Sequence, residues 1–389
     1  MNELIEILPL LSQYQRELNS LREMILANLV MIGEIPSPTM GEENRIKFLC
    51  DRFSECGLQN CSTDEKGNGL GILPGQEGDR NILIVAHADT LFSDQVDHTL
   101  TIETDKVIGP GVGDNSMGMA AIASLPTILE HLSLPLQSNL ILMGSVRGLG
   151  RGNLEGLRFF LNNNVIPIHA GICLEGIQLG RLSYSSLGMI RGEIVVAVPK
   201  KYDWTQFGAS GAILVLNDII GRINEIRVPR RPRTTIMFSS IQGGGTSFNT
   251  MATRSRLRFE VRSESAEVVG EIEKQIEDIV EEIQGRTNVN ITLDIFAQRQ
   301  PGGISFRHPL VESARDIMQE LGIRPWITPS ISELSAFIDH DIPAVTLAVT
   351  TGEQSDEIPE TIDIEPIFRG LSQLLGVILA IDSGYCDEK

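Results

Sequence analysis

The sequence predicts an α/β domain with a mostly parallel sheet, and a smaller α+β domain inserted in its chain. Apolar runs typical of buried strands alternate with helical segments in the first half of the chain, and this pattern returns after Pro301. Between these two stretches, the strand patterns alternate between apolar and polar residues instead. The length of 389 residues is enough for two domains. We therefore expect an outer domain over residues 1–190 and 299–389, and an inserted domain over residues 191–298.

The elements of the outer domain follow from the spacing of its apolar residues. After Pro9, apolar side chains recur at three- and four-residue steps and predict one opening helix. These side chains are Tyr14, Leu18, Leu21 and Ile25. Continuous apolar runs predict strands buried on both faces over 82–89 (ILIVAHAD), 140–146 (LILMGSV), 169–176 (HAGICLEG) and 342–349 (IPAVTLAV). Predicted helices lie between and after them, over 116–131, 152–163, 308–321 and 365–381.

The inserted domain has the pattern of a small α+β unit with its own core. Alternating strands are predicted over 191–198 (RGEIVVAV), 234–241 (TTIMFSSI) and 256–263 (RLRFEVRS). Two helix stripes interleave with them: Ile213, Leu216, Ile220 and Ile223, then Ile272, Ile276, Ile279 and Ile283. Residues 191–262 hold 12 Lys or Arg against 5 Asp or Glu. This local excess of positive charge fits either a solvated face or a surface that attracts an anionic ligand.

The composition argues against several classes of partner. A net charge of −19 repels a nucleic acid backbone or an anionic bilayer, so we expect neither as a partner. The sequence has no apolar run long enough to span a membrane, and its first 30 residues are acidic, unlike a secretion signal. The five cysteines are sparse and lack CxxC spacing, which favours reduced thiols. We therefore expect a cytoplasmic protein.

Two segments of the outer domain carry residues suited to chemistry. His87 and Asp89 lie two residues apart at the end of a predicted buried strand, so both side chains point to the same side. Imidazole is a common zinc ligand, and a nearby carboxylate can orient it, although this tripeptide taken by itself favours a structural histidine. Asp114 follows a glycine-rich turn at the start of a predicted helix. It suits either a helix cap or a metal ligand that bridges two cations.

Motifs along nearly the whole chain resemble one family of zinc metallopeptidases, the one that contains aminoacylase, carboxypeptidase G and tripeptide aminopeptidase-like enzymes. The motifs are His87-Ala88-Asp89-Thr90, GPGVGDNSMG (109–118), YDWTQFG (202–208), GGTSFNTMA (244–252) and Arg262, and they occur in the family's order. The resemblance implies a phosphorylase/hydrolase-like catalytic domain with a mixed, mostly parallel sheet. It also implies a ferredoxin-like lid domain and a homodimer formed through that lid.

The resemblance implies one intact metal site. His87, Asp114 and Glu175 correspond to the ligands of one zinc ion, and Asp89 to the residue that orients the histidine. The expected cofactor is therefore a single zinc ion, with cobalt, manganese or no metal as the alternatives. Small peptide-like or acylated amino acid ligands are the expected partners.

The sequence differs from the family at the positions of the general base, the second metal and the lid histidine. Gly148 stands at the position of the general base and Leu149 at a ligand of the second metal, so we expect both functions to be lost. Asp356 replaces a histidine ligand and still offers an oxygen to a metal, while Tyr202 replaces the lid histidine. The substrate-binding positions are better kept: they are Asn249, Arg262, Gly244, Gly245 and Tyr202. The glycines also suit an ordinary turn between strands.

The sequence leaves two functions open. Glycine and leucine cannot accept a proton, and the loss of general acid–base help slows a reaction about 100- to 10,000-fold. The first hypothesis is a divergent hydrolase with one metal, in which Asp356, Glu175 or Asp89 takes the proton. The second is a non-catalytic relative that binds a peptide-like ligand, an anionic ligand or a protein partner in the same cleft. For the implied homodimer, we expect edge pairing through the strand at 191–198.

Overall fold

The structure is a computed structural model that describes residues 6–198, 211–246, 248, 250–287, 289–353 and 359–387. The chain divides into two compact units, which are described separately below. The outer unit comprises Met1–Ser185 and Gly303–Lys389, and the inserted unit comprises Ser186–Gly302.

Helices and strands alternate through most of the chain, as the apolar spacing predicts. The helices are α1 (Leu8–Leu18), α2 (Arg22–Gly33), α3 (Glu43–Glu55), α4 (Met117–His131), α5 (Glu155–Asn163), α6 (Ala212–Asn224), α7 (Ala266–Thr287), α8 (Pro309–Glu320), α9 (Leu334–Ile338) and α10 (Glu365–Asp382). The first nine strands are β1 (Gln59–Thr63), β2 (Gly69–Leu73), β3 (Asn81–His87), β4 (Thr101–Ile102), β5 (Lys106–Gly109), β6 (Asn139–Ser145), β7 (Ala170–Glu175), β8 (Arg181–Leu182) and β9 (Ser185–Ser186). The others are β10 (Gly188–Ala197), β11 (Thr234–Gly243), β12 (Arg254–Ser263), β13 (Asn290–Arg299), β14 (Gly302–Gly303), β15 (Trp326–Ile327), β16 (Ala344–Ala348), β17 (Gly352–Glu353) and β18 (Glu360–Asp363).

The main sheet of the outer unit is mixed and mostly parallel, which confirms the predicted fold class. Its strand order is β1-β2-β6-β3-β7-β16, and the four strands from β6 to β16 run parallel to one another. All seven residues of β3 are buried, because both faces of the sheet are covered. Ile82 and Ile84 pack in one apolar core, while Leu83 and Val85 pack in a second core on the opposite face.

The opening segment forms two helices where the apolar spacing predicts one. α1 ends at Leu18, a short turn covers Asn19–Leu21, and α2 begins at Arg22. At this break the Ser20 hydroxyl donates a hydrogen bond to the Glu17 carbonyl oxygen over 2.6 Å. Such a local bond competes with the backbone ladder of a continuous helix.

The inserted unit has the ferredoxin-like arrangement. Its elements follow in the order β10-α6-β11-β12-α7-β13, and its antiparallel sheet has the order β11-β12-β10-β13. The four apolar residues predicted on α7 are all buried. On α6 the prediction was wrong for Ile213, which is 47% exposed, because Ala212 and Val215 face the core instead.

The strand predicted to form a dimer edge lies inside the sheet. β10 contains residues 191–197 and pairs with β12 on one side and with β13 on the other. Its backbone groups are therefore used within the unit, and edge pairing through 191–198 is ruled out. β11 is an edge strand of this sheet instead.

The parallel strands bring the candidate residues to one edge of the main sheet. β3 ends at His87, β6 ends at Ser145 directly before the segment 146–149, and β7 ends at Glu175. The carboxyl ends of neighbouring parallel strands meet at the same edge, where ligands bind in open α/β sheets. Among the helices of the described residues, none has the length and apolar character to span a membrane.

Candidate metal centre

Three side chains with metal-binding atoms meet at this edge. His87 and Glu175 are the last residues of β3 and β7, and Asp114 lies in the turn before α4. One ligand atom from each residue lies within 4.8 Å of the other two. Among the described residues, this is the one group of three or more such side chains with that geometry. One imidazole and two carboxylates suit zinc, cobalt or manganese, so the donor set fits the expected metal.

The imidazole of His87 is held at both nitrogens. Its Nε2 lies 2.9 Å from Asp114 Oδ1, and its Nδ1 lies 2.9 Å from the backbone carbonyl oxygen of Asp89. The Asp89 carboxylate is farther away, with Oδ1 at 3.5 Å from Nδ1. Burial lowers the pKa of His87, but the two neighbouring carboxylates outweigh burial and hold the pKa well above its usual value. The carbonyl of Asp89 fixes the ring so that Nε2 points towards Asp114 and Glu175.

Asp89 is fully buried and organises the segment 148–149. Its carboxylate accepts hydrogen bonds from the backbone amides of Gly148 and Leu149, at 3.1 and 2.8 Å, and from Thr39 Oγ1 at 2.7 Å. Burial raises the pKa of Asp89, but His87 and these donors together lower it below its ordinary value. Asp89 therefore remains ionised beside the histidine.

A second buried acid, Glu360, shapes the turn that carries Asp114. Glu360 Oε2 accepts hydrogen bonds from the backbone amides of Gly113 and Asp114, at 2.9 and 3.1 Å. The next residue, Asn115, donates from Nδ2 to the Leu174 carbonyl oxygen at 2.8 Å. The turn is thus attached to β18 and to the residue that precedes Glu175. These contacts hold the carboxylates of Asp114 and Glu175 in register.

Glu175 lies near other acids, with the guanidinium group of Arg181 close by. Arg181 Nη1 is 3.8 Å from Glu175 Oε1, and Ser332 Oγ donates to the same oxygen over 3.4 Å. Burial and the negative charge of Glu333 raise the pKa of Glu175 to about 7. A cation beside Glu175 would relieve this unfavourable charge.

The altered positions lie next to this group. Gly148 is buried between His87 and Asp89, and Leu149 is half-buried. Arg147 does not point at the acids of the site, because its Nη1 pairs with Glu155 at 2.7 Å. Asp356, Tyr202 and Asn249 lie outside the described residues.

The other predicted substrate-binding residues belong to the inserted unit. Gly244 and Gly245 are exposed in the segment after β11, and Gly244 has a φ of 81°, which favours glycine. Arg262 lies on β12 and forms an ion pair through its Nε with Glu260. A ligand carboxylate would therefore compete with Glu260 for this guanidinium group.

Two further residues at the edge of the main sheet were not predicted from the sequence. Glu333, directly before α9, is only 4% exposed and brings a further acid near His87 and Glu175. Arg45 on α3 is fully buried and donates to the carbonyl oxygen of Ala88 at 3.1 Å. No motif marks either residue, although an acid directly before a helix is a weak signal for Glu333.

Comparisons with known proteins agree with this architecture. Residues 205–288 match the M20 peptidase dimerisation domain. No curated protein matches the sequence of the chain. Among solved structures, the chain is similar to the dipeptidase Dug1p of Saccharomyces cerevisiae, with a TM-score of 0.79 and 12% identity over 96% of this chain and 98% of the other.

Two further structures show the same fold. Human carnosine dipeptidase 1 has a TM-score of 0.77 and 13% identity over 96% of this chain and all of the other. A dinuclear metal-binding peptidase of the M20 family from Bacillus subtilis has a TM-score of 0.65 and 15% identity over 94% of this chain and 99% of the other. The resemblance seen in the sequence is thereby confirmed: residues 205–288 match a peptidase dimerisation domain, and the chain has the fold of M20-family peptidases.

Proposed function

We propose that this protein is a metal-dependent hydrolase that cleaves the amide bond of small peptide-like substrates, such as dipeptides or N-acyl amino acids. The observation that supports it is the convergence of His87, Asp114 and Glu175, whose ligand atoms lie within 4.8 Å of one another. The similar structures include two dipeptidases, which agrees with a small amide as the substrate. A zinc, cobalt or manganese ion on these three residues would act as a Lewis acid on the substrate carbonyl.

The chain's own residues would have separate tasks in this reaction. Asp89 orients His87 through its backbone carbonyl oxygen, so that Nε2 faces Asp114. Glu360 holds the turn of Asp114 through two backbone hydrogen bonds. Asp356 remains a proposed additional oxygen ligand. Binding of the substrate is assigned to Arg262, Gly244, Gly245, Asn249 and Tyr202, as the resemblance implies.

A second candidate function is binding without catalysis. It is favoured by Gly148 and Leu149, because neither side chain can take a proton or hold a second cation. In this case the same cleft would bind a peptide-like or anionic ligand, or a protein partner, and release it unchanged. The two candidates differ in one measurable property, which is turnover.

The test combines metal analysis with a substrate panel. The purified protein would be analysed for bound metal and then assayed with dipeptides and N-acetyl amino acids in the presence of zinc, cobalt or manganese. We expect one metal ion per chain and measurable hydrolysis. His87→Ala should remove both, whereas His131→Ala should leave both unchanged, because His131 is exposed and far from the cluster in the fold.

The outcomes separate the candidates. A protein that binds panel compounds with no turnover under any metal would support the binding function and exclude the hydrolase. Hydrolysis that persists in His87→Ala would show that the activity does not use this centre. A protein without metal and without binding would contradict both proposals.

We also propose that the protein is a homodimer formed through the inserted unit. The match to a dimerisation domain supports this proposal. The edge strand β11 supports it further, because it exposes Met237, Phe238 and Ile241. An exposed apolar edge strand is a ready template for pairing with a second chain.

A further inference from the structure

An acid of the outer unit, Glu333, approaches Gly148, the position where the resemblance implies a general base. A Cβ atom built on Gly148 would lie 3.4 Å from Glu333 Oε1. In a glutamate, the carboxylate oxygens are separated from Cβ by two carbon–carbon bonds and one carbon–oxygen bond. The carboxylate oxygens of a glutamate at position 148 would therefore lie at a similar distance from this Cβ. Glu333 therefore places a carboxylate oxygen within the region that a glutamate at 148 would reach.

The surroundings of Glu333 indicate that its carboxylate is not structural. The residue is 4% exposed, yet none of the described residues donates a hydrogen bond to the carboxylate or forms an ion pair with it. A buried carboxylate without a partner is costly for folding, and such groups occur mainly where function requires them. Its charge also acts on the metal centre, since it raises the pKa of His87 and of Glu175.

Neighbouring residues hold the segment of Glu333 in place. Ser332 donates to Glu175, and Arg181 approaches both Glu175 and Ser330 Oγ, the latter at 3.4 Å. Ser335 binds the Ser332 carbonyl oxygen through its amide and its hydroxyl, at 2.9 and 2.8 Å. These contacts fix the position of Glu333 relative to Glu175 at the start of α9.

We propose that Glu333 is the proton acceptor of this site and replaces the general base that Gly148 cannot supply. This inference rests on the proposed hydrolase function. In the reaction, the oxygen of a water molecule forms a bond to the amide carbon while one of its protons moves to the Glu333 carboxylate. The carbon–nitrogen bond then breaks, and Glu333 returns the proton to the leaving nitrogen. The products are a carboxylic acid and an amine, and Glu333 ends as it began.

The test is Glu333→Gln, which keeps the shape of the side chain but cannot take up the proton. In the zinc-loaded protein we expect kcat to fall about 100- to 10,000-fold, because that is the range of general acid–base catalysis. Zinc stoichiometry should stay at that of the wild type, and KM should change little. The melting temperature of the metal-free variant should equal or exceed that of the wild type, because a repulsive buried charge is removed.

Asp339→Asn is the matched control. Asp339 lies at the other end of α9 and pairs at the surface with Arg158. It should keep wild-type kcat and zinc content.

Each result decides between distinct conclusions. If the wild type hydrolyses the panel and Glu333→Gln does so equally well, the role of Glu333 is refuted and the proposed function stands. If Glu333→Gln loses its zinc, Glu333 is a metal ligand and not the acceptor. If the wild type hydrolyses nothing, the proposed function fails and the role of Glu333 fails with it.

Discussion

The backbone at Gly148 leaves no room for a side chain. A Cβ atom there would lie 2.9 Å from Asp89 Oδ1 and 3.1 Å from His87 Cβ. Asp89 cannot easily move away, because Thr39, Gly148 and Leu149 all donate hydrogen bonds to it. The glycine is therefore required by the present packing, because a side chain at 148 would have to displace the Asp89 carboxylate.

We predict that Gly148→Ala lowers the free energy of unfolding by about 1–3 kcal/mol, which is the usual cost of forcing extra atoms into a packed site. Urea unfolding followed by circular dichroism would measure this change. Gly270→Ala is the control for the glycine-to-alanine exchange. Gly270 lies on α7 with nothing within 4 Å of the added Cβ, so this variant should be as stable as the wild type or slightly more stable. A Gly148→Ala variant of wild-type stability would show that Asp89 has more freedom than the geometry allows.

Some residues of the candidate site can be predicted from the sequence, and others cannot. His87 and Glu175 end strands that the sequence predicts, Asp114 lies in a predicted turn, and the structure brings the three together. Glu333 was not predicted, because it approaches Gly148 from a segment 185 positions later in the chain and no pattern links the two. The direction of Arg147 cannot be predicted from the sequence either, because it depends on a backbone φ of 55° that turns the guanidinium group towards Glu155.

At the scale of elements, a buried arginine joins the pieces around the metal centre. Arg45 on α3 donates to the carbonyl oxygens of Ile35 at 2.7 Å and Ala88 at 3.1 Å, and to Ser116 Oγ at 3.3 Å. Burial lowers the pKa of Arg45 to about 10, although the charge of Asp89 acts in the opposite direction. The guanidinium group remains charged at neutral pH and ties the end of α2 to the segment after β3 and to the start of α4.

We predict that Arg45→Met lowers the free energy of unfolding by at least about 3 kcal/mol, because each buried acceptor left without a donor costs about 1–3 kcal/mol. Methionine keeps much of the apolar volume, so the loss would come mainly from the hydrogen bonds. Thermal and urea unfolding would measure it.

Arg52→Met on the same helix is the matched control. Arg52 pairs with Glu55 at the surface, and exposed ion pairs contribute about 0–1 kcal/mol. A similar loss in both variants would contradict the structural role of Arg45.

Element positions within a sheet are harder to predict than the elements themselves. The alternation at 191–198 correctly predicts a strand, but the same alternation suits an edge strand and an interior strand. Only the pairing with β12 and β13 shows that β10 is interior. The break between α1 and α2 was not predicted for a related reason. The apolar spacing continues through the turn at Asn19–Leu21, although a local hydrogen bond of Ser20 interrupts the helix there.

At the scale of the whole molecule, the predicted functions are divided between the two units. The outer unit contains the candidate metal centre, and the inserted unit contains Gly244, Gly245 and Arg262 together with the dimerisation domain. The return of the α/β pattern after Pro301 is what made the insertion predictable, since the two parts of the outer unit contribute strands to one sheet. The proposed pairing between copies cannot use the strand at 191–198 that the sequence pattern favours, because β10 lies inside the sheet.

The proposed dimer makes a prediction about β11. Ile241 is 62% exposed on this edge strand, and a lysine there would place like charges together where two copies pair. We expect the wild type to have twice the chain mass of 42.7 kDa at micromolar concentration, and Ile241→Lys to have the mass of a single chain. Light scattering coupled to size-exclusion chromatography would measure both. Val165→Lys is the control, because Val165 is 94% exposed in the outer unit and should leave the dimer intact. A monomeric wild type would refute the dimer, and a dimeric Ile241→Lys would move its interface away from β11.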